Sequence, residues 1–183
     1  MTKPLIILAG ILALALAGFT DDKLRQVSGK VFQTASYCGG AAPSAETLEQ
    51  LQTPKPLAGK KCYIRKGNTN SVKEPVVASF ISDSAGNFLI HLPPGEYCII
   101  DSRKYDKNFV ADIAKDHKKG GEYYSAADLD CLKRWLNTPD AVFTVSADGE
   151  NKIEVIYNTP CSWNSTPCIN YSGPMPPAKS GGN

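Results

Sequence analysis

Histidine and cysteine are the residues around which this chain could build chemistry; it holds two of the first and six of the second. Acid–base catalysis near neutral pH draws most often on histidine. His91 follows Phe88 and Ile90 in an alternating run and falls opposite Ile90, on the solvent side of an expected strand. His117 closes a stripe with Phe109 and Ile113 at four-residue spacing, beside Lys115, Lys118 and Lys119, and reads as a partly exposed surface residue. Zinc clusters draw on close Cys-x-x-Cys pairs, whereas the closest cysteines here, Cys161 and Cys168, stand seven apart. Calcium needs oxygen ligands at alternating positions. Asp128 and Asp130 alternate but fall in an expected helix, and Asp83-Ser84 reads as a turn. No glycine-rich phosphate loop and no Gly-x-Ser-x-Gly elbow occurs. The expectation is no catalytic residue, no metal ligand and no cofactor.

A softer signal lies outside the strands. Tyr105, Tyr123, Tyr124, Trp163 and Tyr171 fall in segments without two-residue alternation. Loop aromatics form flat platforms for glycans or anchors for protein partners, and equally often plug a long loop onto its sheet. These five are the candidate ligand contacts.

The elements that would position such residues are mostly strands. Alternation and turn punctuation mark Val27–Thr34, Lys60–Lys66, Val76–Ser82, Asn87–Leu92, Tyr97–Asp101, Ala141–Ala147 and Lys152–Tyr157. Asp83-Ser-Ala-Gly86 and Pro93-Pro-Gly95 are turn sequences, and Asp148-Gly-Glu-Asn151 signals a hairpin. Seven short strands with regular turns predict a two-sheet antiparallel sandwich. Helical character enters at Ser44–Gln52 and Asp106–Lys119. Ser125-Ala-Ala-Asp128 reads as a capping box that opens a helix to Asn137, with Leu129, Leu132 and Leu136 facing inward.

The N-terminal stretch has the form of a secretory signal. Lys3 precedes an apolar run from Leu5 to Leu16, and Ala15-Leu16-Ala17 offers a small-x-small cleavage site before Gly18. A spanning helix wants about 20 apolar residues, and Asp21-Asp22-Lys23 ends this run short of that. The expected organisation is a signal peptide at 1–17, a sandwich domain at 18–171 with helical insertions near 44–52 and 106–137, and a flexible tail at 172–183. The mature chain would have no integral membrane segment. Its location would be exported, periplasmic or extracellular, where six cysteines are read as disulfide material. Twenty basic and 18 acidic residues give a net charge of +2, or +1 once Lys3 is removed. Acids and bases are interspersed, without the clustered basic face that nucleic-acid binding requires.

Leu57-Ala-Gly-Lys-Lys-Cys-Tyr-Ile64, Asp83-Ser-Ala-Gly-Asn-Phe-Leu-Ile90 and Leu92-Pro-Pro-Gly-Glu-Tyr97 together resemble the carboxypeptidase regulatory-like domain. That is a prealbumin-type (transthyretin-like) Greek-key sandwich of bacterial cell-envelope proteins. The resemblance covers roughly residues 27–101 and implies an all-β fold and a non-catalytic accessory or adhesive role. It places Cys62 at a core position, as a buried free thiol, and turns Cys98 outward under the helix that carries Cys131. Cys98–Cys131 is then the expected long-range bridge. Cys161 and Cys168 would close a small ring, leaving Cys38 without a clear partner.

Two enzyme classes share this kind of sandwich. Transthyretin-like hydroxyisourate hydrolases use histidines, an arginine and a C-terminal Tyr-Arg-Gly-Ser, whereas this chain has Tyr171-Ser-Gly-Pro174. Intradiol dioxygenases need a His-x-His iron ligand pair, absent here. The expected function is a non-catalytic envelope module binding a protein or glycan. The rivals are a metal-handling or enzymatic protein built on Cys38, His91 or the Cys161–Cys168 loop, and a structural accessory subunit of an envelope complex.

Overall fold

The computed structural model describes residues 23–174. The expected signal segment 1–17, and the expected tail beyond residue 174, lie outside the described residues. Among the described residues eight strands form two four-stranded sheets: β1 Arg25–Ala35, β2 Lys55–Pro56, β3 Lys61–Lys66, β4 Val76–Ile81, β5 Asn87–Leu92, β6 Gly95–Asp101, β7 Ala141–Val145 and β8 Asn151–Thr159. The seven expected strands are present within a few residues of their predicted ends. The eighth, β2, has two residues and was not expected.

The first sheet is centred on β1, with β5 and β2 antiparallel along one edge and β8 along the other. The second runs β4-β3-β6-β7, antiparallel throughout. Three tight turns, at 82–86, 93–94 and 146–150, each carry the chain from one sheet to the other. The expected hairpin at Asp148-Gly149 is therefore a corner. β7 and β8 belong to different sheets, and β8 runs parallel to β1, from Val27↔Asn151 to Ala35↔Thr159. This corrects the all-antiparallel expectation. A parallel pair needs a long connection, and here almost the whole chain between first and last strand supplies it. Asn151 shapes the corner, its side chain accepting from Ser146 N (2.8 Å) and donating to Ser146 O.

Alternation decides which side chains meet between the sheets. Val27 and Val31 of β1, Phe88, Ile90 and Leu92 of β5 and Val155 of β8 face Cys62, Ile64, Phe80, Tyr97, Ile99 and Val145 of the other sheet. Phe80 and Phe88 stack across the interface with centroids 3.8 Å apart. Gly29 makes room for this, because a Cβ there would stand 2.3 Å from the Phe88 ring. The Asp83 turn closes on itself, with Asp83 Oδ1 accepting from Ala85 N and Asn87 N (2.9 and 2.7 Å). Those bonds, Asn87's first, hold the Asp83 carboxyl below its ordinary pKa. Gly86, at φ +80°, presses on Val31 O where a side chain would clash. The Pro93 turn is closed by Tyr97, whose hydroxyl donates to Pro93 O at 2.9 Å.

The helices cover the outside. α1 (Ala45–Gln52) is capped by Ser44, whose Oγ accepts from Thr47 N, and it buries no residue. A separate short helix, α2 (Ser102–Tyr105), capped by Asp101, precedes the segment expected as a helix over 106–119, which holds α3 (Phe109–Asp116). α4 (Leu129–Asn137) starts at Asp128, whose Oδ1 accepts from Asp130 N and Cys131 N, an arrangement that contributes about 1 kcal/mol. Ser125 is not the cap; its hydroxyl bonds Asn170 N instead. Leu132 is fully buried, but Leu129, expected inward, is 55% exposed. α4 begins at Leu129 itself, so that residue stands at the exposed helix start while Leu132 keeps the expected inward position.

Candidate functional site

The cysteines are joined otherwise than expected. Cys38 bonds Cys161, and Cys131 bonds Cys168; Cys62 and Cys98 are free and buried. Neither Cys98–Cys131 nor Cys161–Cys168 forms. Cys38 lies just beyond the end of β1 and Cys161 just beyond the end of β8, so the parallel β1–β8 ladder delivers the two together. Cys98 does sit on the outer face of β6, but the 67–75 loop reaches it first and its thiol points at Thr69 O, 3.5 Å away. That loop is locked by buried Asn70, whose amide donates to Leu136 O (2.8 Å) and whose backbone N donates to Asn137 O. Cys131 is thus left to the C-terminal segment. On the chain-entropy account, a bridge across 37 residues removes about 4 kcal/mol of unfolded-state freedom.

This second bridge assembles most of the candidate aromatics. Tyr124 and Tyr171 form an isolated antiparallel bridge, with Ser172 N donating to Tyr123 O and Ser125 N to Asn170 O (2.8 and 2.9 Å). Tyr171 is the hub: its ring centroid lies 5.1 Å from Tyr124, 6.3 Å from Tyr123 and 6.3 Å from Trp163. His117 meets Tyr124 edge-on at 6.5 Å. Tyr123 and Tyr124 remain 40% and 38% exposed. A hydrogen bond to the Glu122 carboxylate raises the Tyr123 phenol's pKa. Tyr105 belongs elsewhere, stacked flat on Tyr63 of β3 at 3.9 Å. Of the five loop aromatics, the fold gathers four and sends the fifth to cover a strand.

Reading the sequence did not reveal a cluster of charged and polar side chains at one end of the sandwich. Asp140 Oδ2 accepts from Asp101 N (2.7 Å) and from the Tyr157 hydroxyl (3.2 Å), while Lys104 Nζ reaches its Oδ1 at 2.5 Å. Asp101 pairs with Lys60 and Arg103 at 3.2 and 3.0 Å. Cys62 Sγ lies 3.4 Å from the Tyr157 hydroxyl. Burial pushes the Cys62 thiol up to about 11 and raises the Tyr157 phenol, with Asp140 adding to the latter. Burial alone would raise Asp101 too, but Lys60 and Arg103 prevail and hold it low. The thiol and phenol are thus kept protonated, the opposite of what a nucleophile needs. The arrangement works as a clamp joining β3, β6, α2 and β8. Its members are scattered over nearly a hundred residues, and no local pattern announces them.

The disulfides also bear on metal chemistry, since Cys38, Cys131, Cys161 and Cys168 are not available as thiolates. Among the described residues no group of three or more His, Cys, Asp or Glu is placed to hold a metal ion. His91 lies exposed on β5. No helix among the described residues is long and apolar enough to cross a membrane.

No protein-family model matches the chain and no curated protein matches it. Among solved structures it is similar to the shaft pilin SpaA from Lactobacillus rhamnosus GG, at 11% identity and a TM-score of 0.41, over 76% of this chain and 53% of that one. It is also similar to that pilin's isolated N-terminal domain, at 12% identity and a TM-score of 0.32, over 73% and 92%. A DUF3823 family protein from Parabacteroides merdae ATCC 43184 matches at 12% identity and a TM-score of 0.29, over 71% and 45%. The chain spans about half the length of the shaft-pilin structure. The strand pairings themselves make this protein a two-sheet β-sandwich with helical additions.

Proposed function

We propose that this protein is a non-catalytic interaction module of the cell envelope, exported after loss of residues 1–17, which binds a glycan or protein through Tyr123, Tyr124, Trp163 and Tyr171. One observation carries the reading: four aromatics from two distant loops converge on a partly exposed surface fixed by a disulfide and a backbone bridge. Aromatic rings held rigid before the ligand arrives lose little entropy on binding. Two disulfides favour an oxidising compartment, and the resemblance of residues 27–101 to envelope sandwich domains points the same way. The buried network supports the absence of catalysis, because it keeps its thiol and phenol protonated.

The test is a glycan array read with the oxidised chain, then titration of the best binder against Tyr124→Ala and Trp163→Ala. Both substitutions should weaken binding roughly tenfold or more, as loss of an aromatic anchor does, without changing the circular dichroism. Undiminished binding by both variants, or turnover of an array compound, would overturn the reading.

A further inference from the structure

The loop 160–168, which carries Trp163 toward the aromatic cluster, turns its other side to a separate cavity. This cavity of about 460 Å³ opens between that loop and α4, with the Cys131–Cys168 bridge in its wall. Arg103, Arg134, Trp135 and Asn164 line it, and its lining includes no carboxylate. The Arg134 guanidinium and the Asn164 side-chain amide have no partner among the described residues.

Arg103 is held in place from two sides. Its Nε donates to Asp101 Oδ2 at 3.0 Å, and its guanidinium carbon stands 5.8 Å from the centre of the Trp135 ring. The two terminal nitrogens of that guanidinium stay free to donate. Behind the wall, Lys60, Arg103 and Lys104 face Asp101 and Asp140. With Arg134 added, four cations stand against two engaged carboxylates, Asp101 buried and Asp140 partly exposed, while Asp130 of α4 is paired with Lys133. The excess is positive, in a chain whose charges are otherwise nearly balanced.

A pair of guanidinium groups is suited to an anionic oxygen cluster, which it grips with parallel charge-assisted hydrogen bonds. The Trp135 indole already has Arg103, Lys104 and Phe109 against it, so Pro160 and Pro167 give the lining its apolar side for a sugar ring. A free amide supplies both a donor and an acceptor for hydroxyls. The volume lies in the range of small-ligand sites. From this combination we infer that the cavity binds an acidic saccharide, a sugar unit whose anionic group sits between Arg103 and Arg134 while its ring lies against Pro160 and Pro167. The inference rests on the reading of the protein as a binding module and names the ligand class of a second site, distinct from the Tyr171-centred surface.

The probe is tetragalacturonate, titrated calorimetrically into the oxidised chain. Its methyl-esterified form tests the charge, and tetraglutamate tests the sugar. The charged saccharide should bind with an affinity that falls as salt rises, and the ester and the peptide should bind at least tenfold more weakly. Arg134→Ala, which removes a side chain with no partner among the described residues, should cost roughly tenfold, in line with one charge-assisted contact, and Arg134→Glu should abolish binding. Tyr124→Ala should leave it intact. Equal binding of acid and ester, equal binding of tetraglutamate, or indifference to Arg134→Glu would each overturn the inference. Failure of the acidic probe beside an intact aromatic-surface ligand sinks this site alone. Loss of the acidic probe on Tyr124→Ala would merge the two sites and overturn their separation.

Discussion

Between the two sheets twelve buried side chains interlock, from Val27 to Val155, whereas between α3, α4 and the C-terminal segment only Ile113, Leu132 and Ile169 are buried together. Each region is closed by a disulfide, but the bridges stand differently. Cys38–Cys161 ties two strands already paired along nine residue positions. Cys131–Cys168 ties a helix to a segment held otherwise by the Tyr124–Tyr171 bridge, its flanking hydrogen bonds and buried Ile169. The sandwich is therefore stable through area removed from water, and the helical lobe through covalent and polar attachment. The lobe also carries all the surface this protein offers to a ligand in the readings above. A sparse core with a fixed bridge lets aromatics and arginines stand at the surface without being drawn inward.

The largest effect should come from the sandwich. Ile64→Ala empties a fully buried position and should cost about 4 kcal/mol in urea unfolding, transfer and cavity contributions together. A loss under 1 kcal/mol would mean the sheets do not carry the stability. Replacing Cys131 and Cys168 together by alanine should cost about 3 kcal/mol, somewhat below the chain-entropy figure. It should also raise hydrogen exchange at 121–125 and 169–172 while β1, β3 and β6 stay protected. Uniform loss of protection would break the distinction between the two regions.

The third prediction sharpens the contrast at the polar end of the sandwich. Burial raises the Cys62 thiol from about 9 to about 11, so the folded state holds that proton more tightly than the unfolded state. Its contribution is fully present below pH 9 and is lost as pH rises to 11, at most about 3 kcal/mol. Wild type should lose more stability over that window than Cys62→Val, and native Cys62 should resist alkylation at pH 8. Parallel pH profiles for the two would show that the thiol is not desolvated in the folded protein.

How far the sequence could be read follows from the range of each signal. Strand positions were legible because alternation is a property of neighbouring residues: Phe88, Ile90 and Leu92 declare their inward face within one strand. So was the helical character of Ser44–Gln52, where α1 spans Ala45–Gln52. Two local signals misled. Asp148-Gly149 has hairpin chemistry yet turns a corner between sheets, because a tight turn does not say which sheet receives the next strand. Ser125 fits a capping box yet bonds Asn170, because Asp128 offers the α4 amides a nearer acceptor.

The site residues divide the same way. Residue type and position picked out the loop aromatics, and the resemblance of residues 27–101 to a known sandwich domain supplied the reading of Cys62 as a buried thiol. Which sulfur meets which, and which rings meet at all, was decided only by tertiary structure. Cys38 joins Cys161 because the last strand lies parallel to the first, and Cys98 stays a thiol because the Asn70 loop covers it. Arg103 and Arg134 share a cavity because side chains of α2 pack against Trp135 of α4. Local chemistry determined the elements of this protein. Long-range pairing, whose closure entropy and packing depend on the whole chain, decided what those elements bring together.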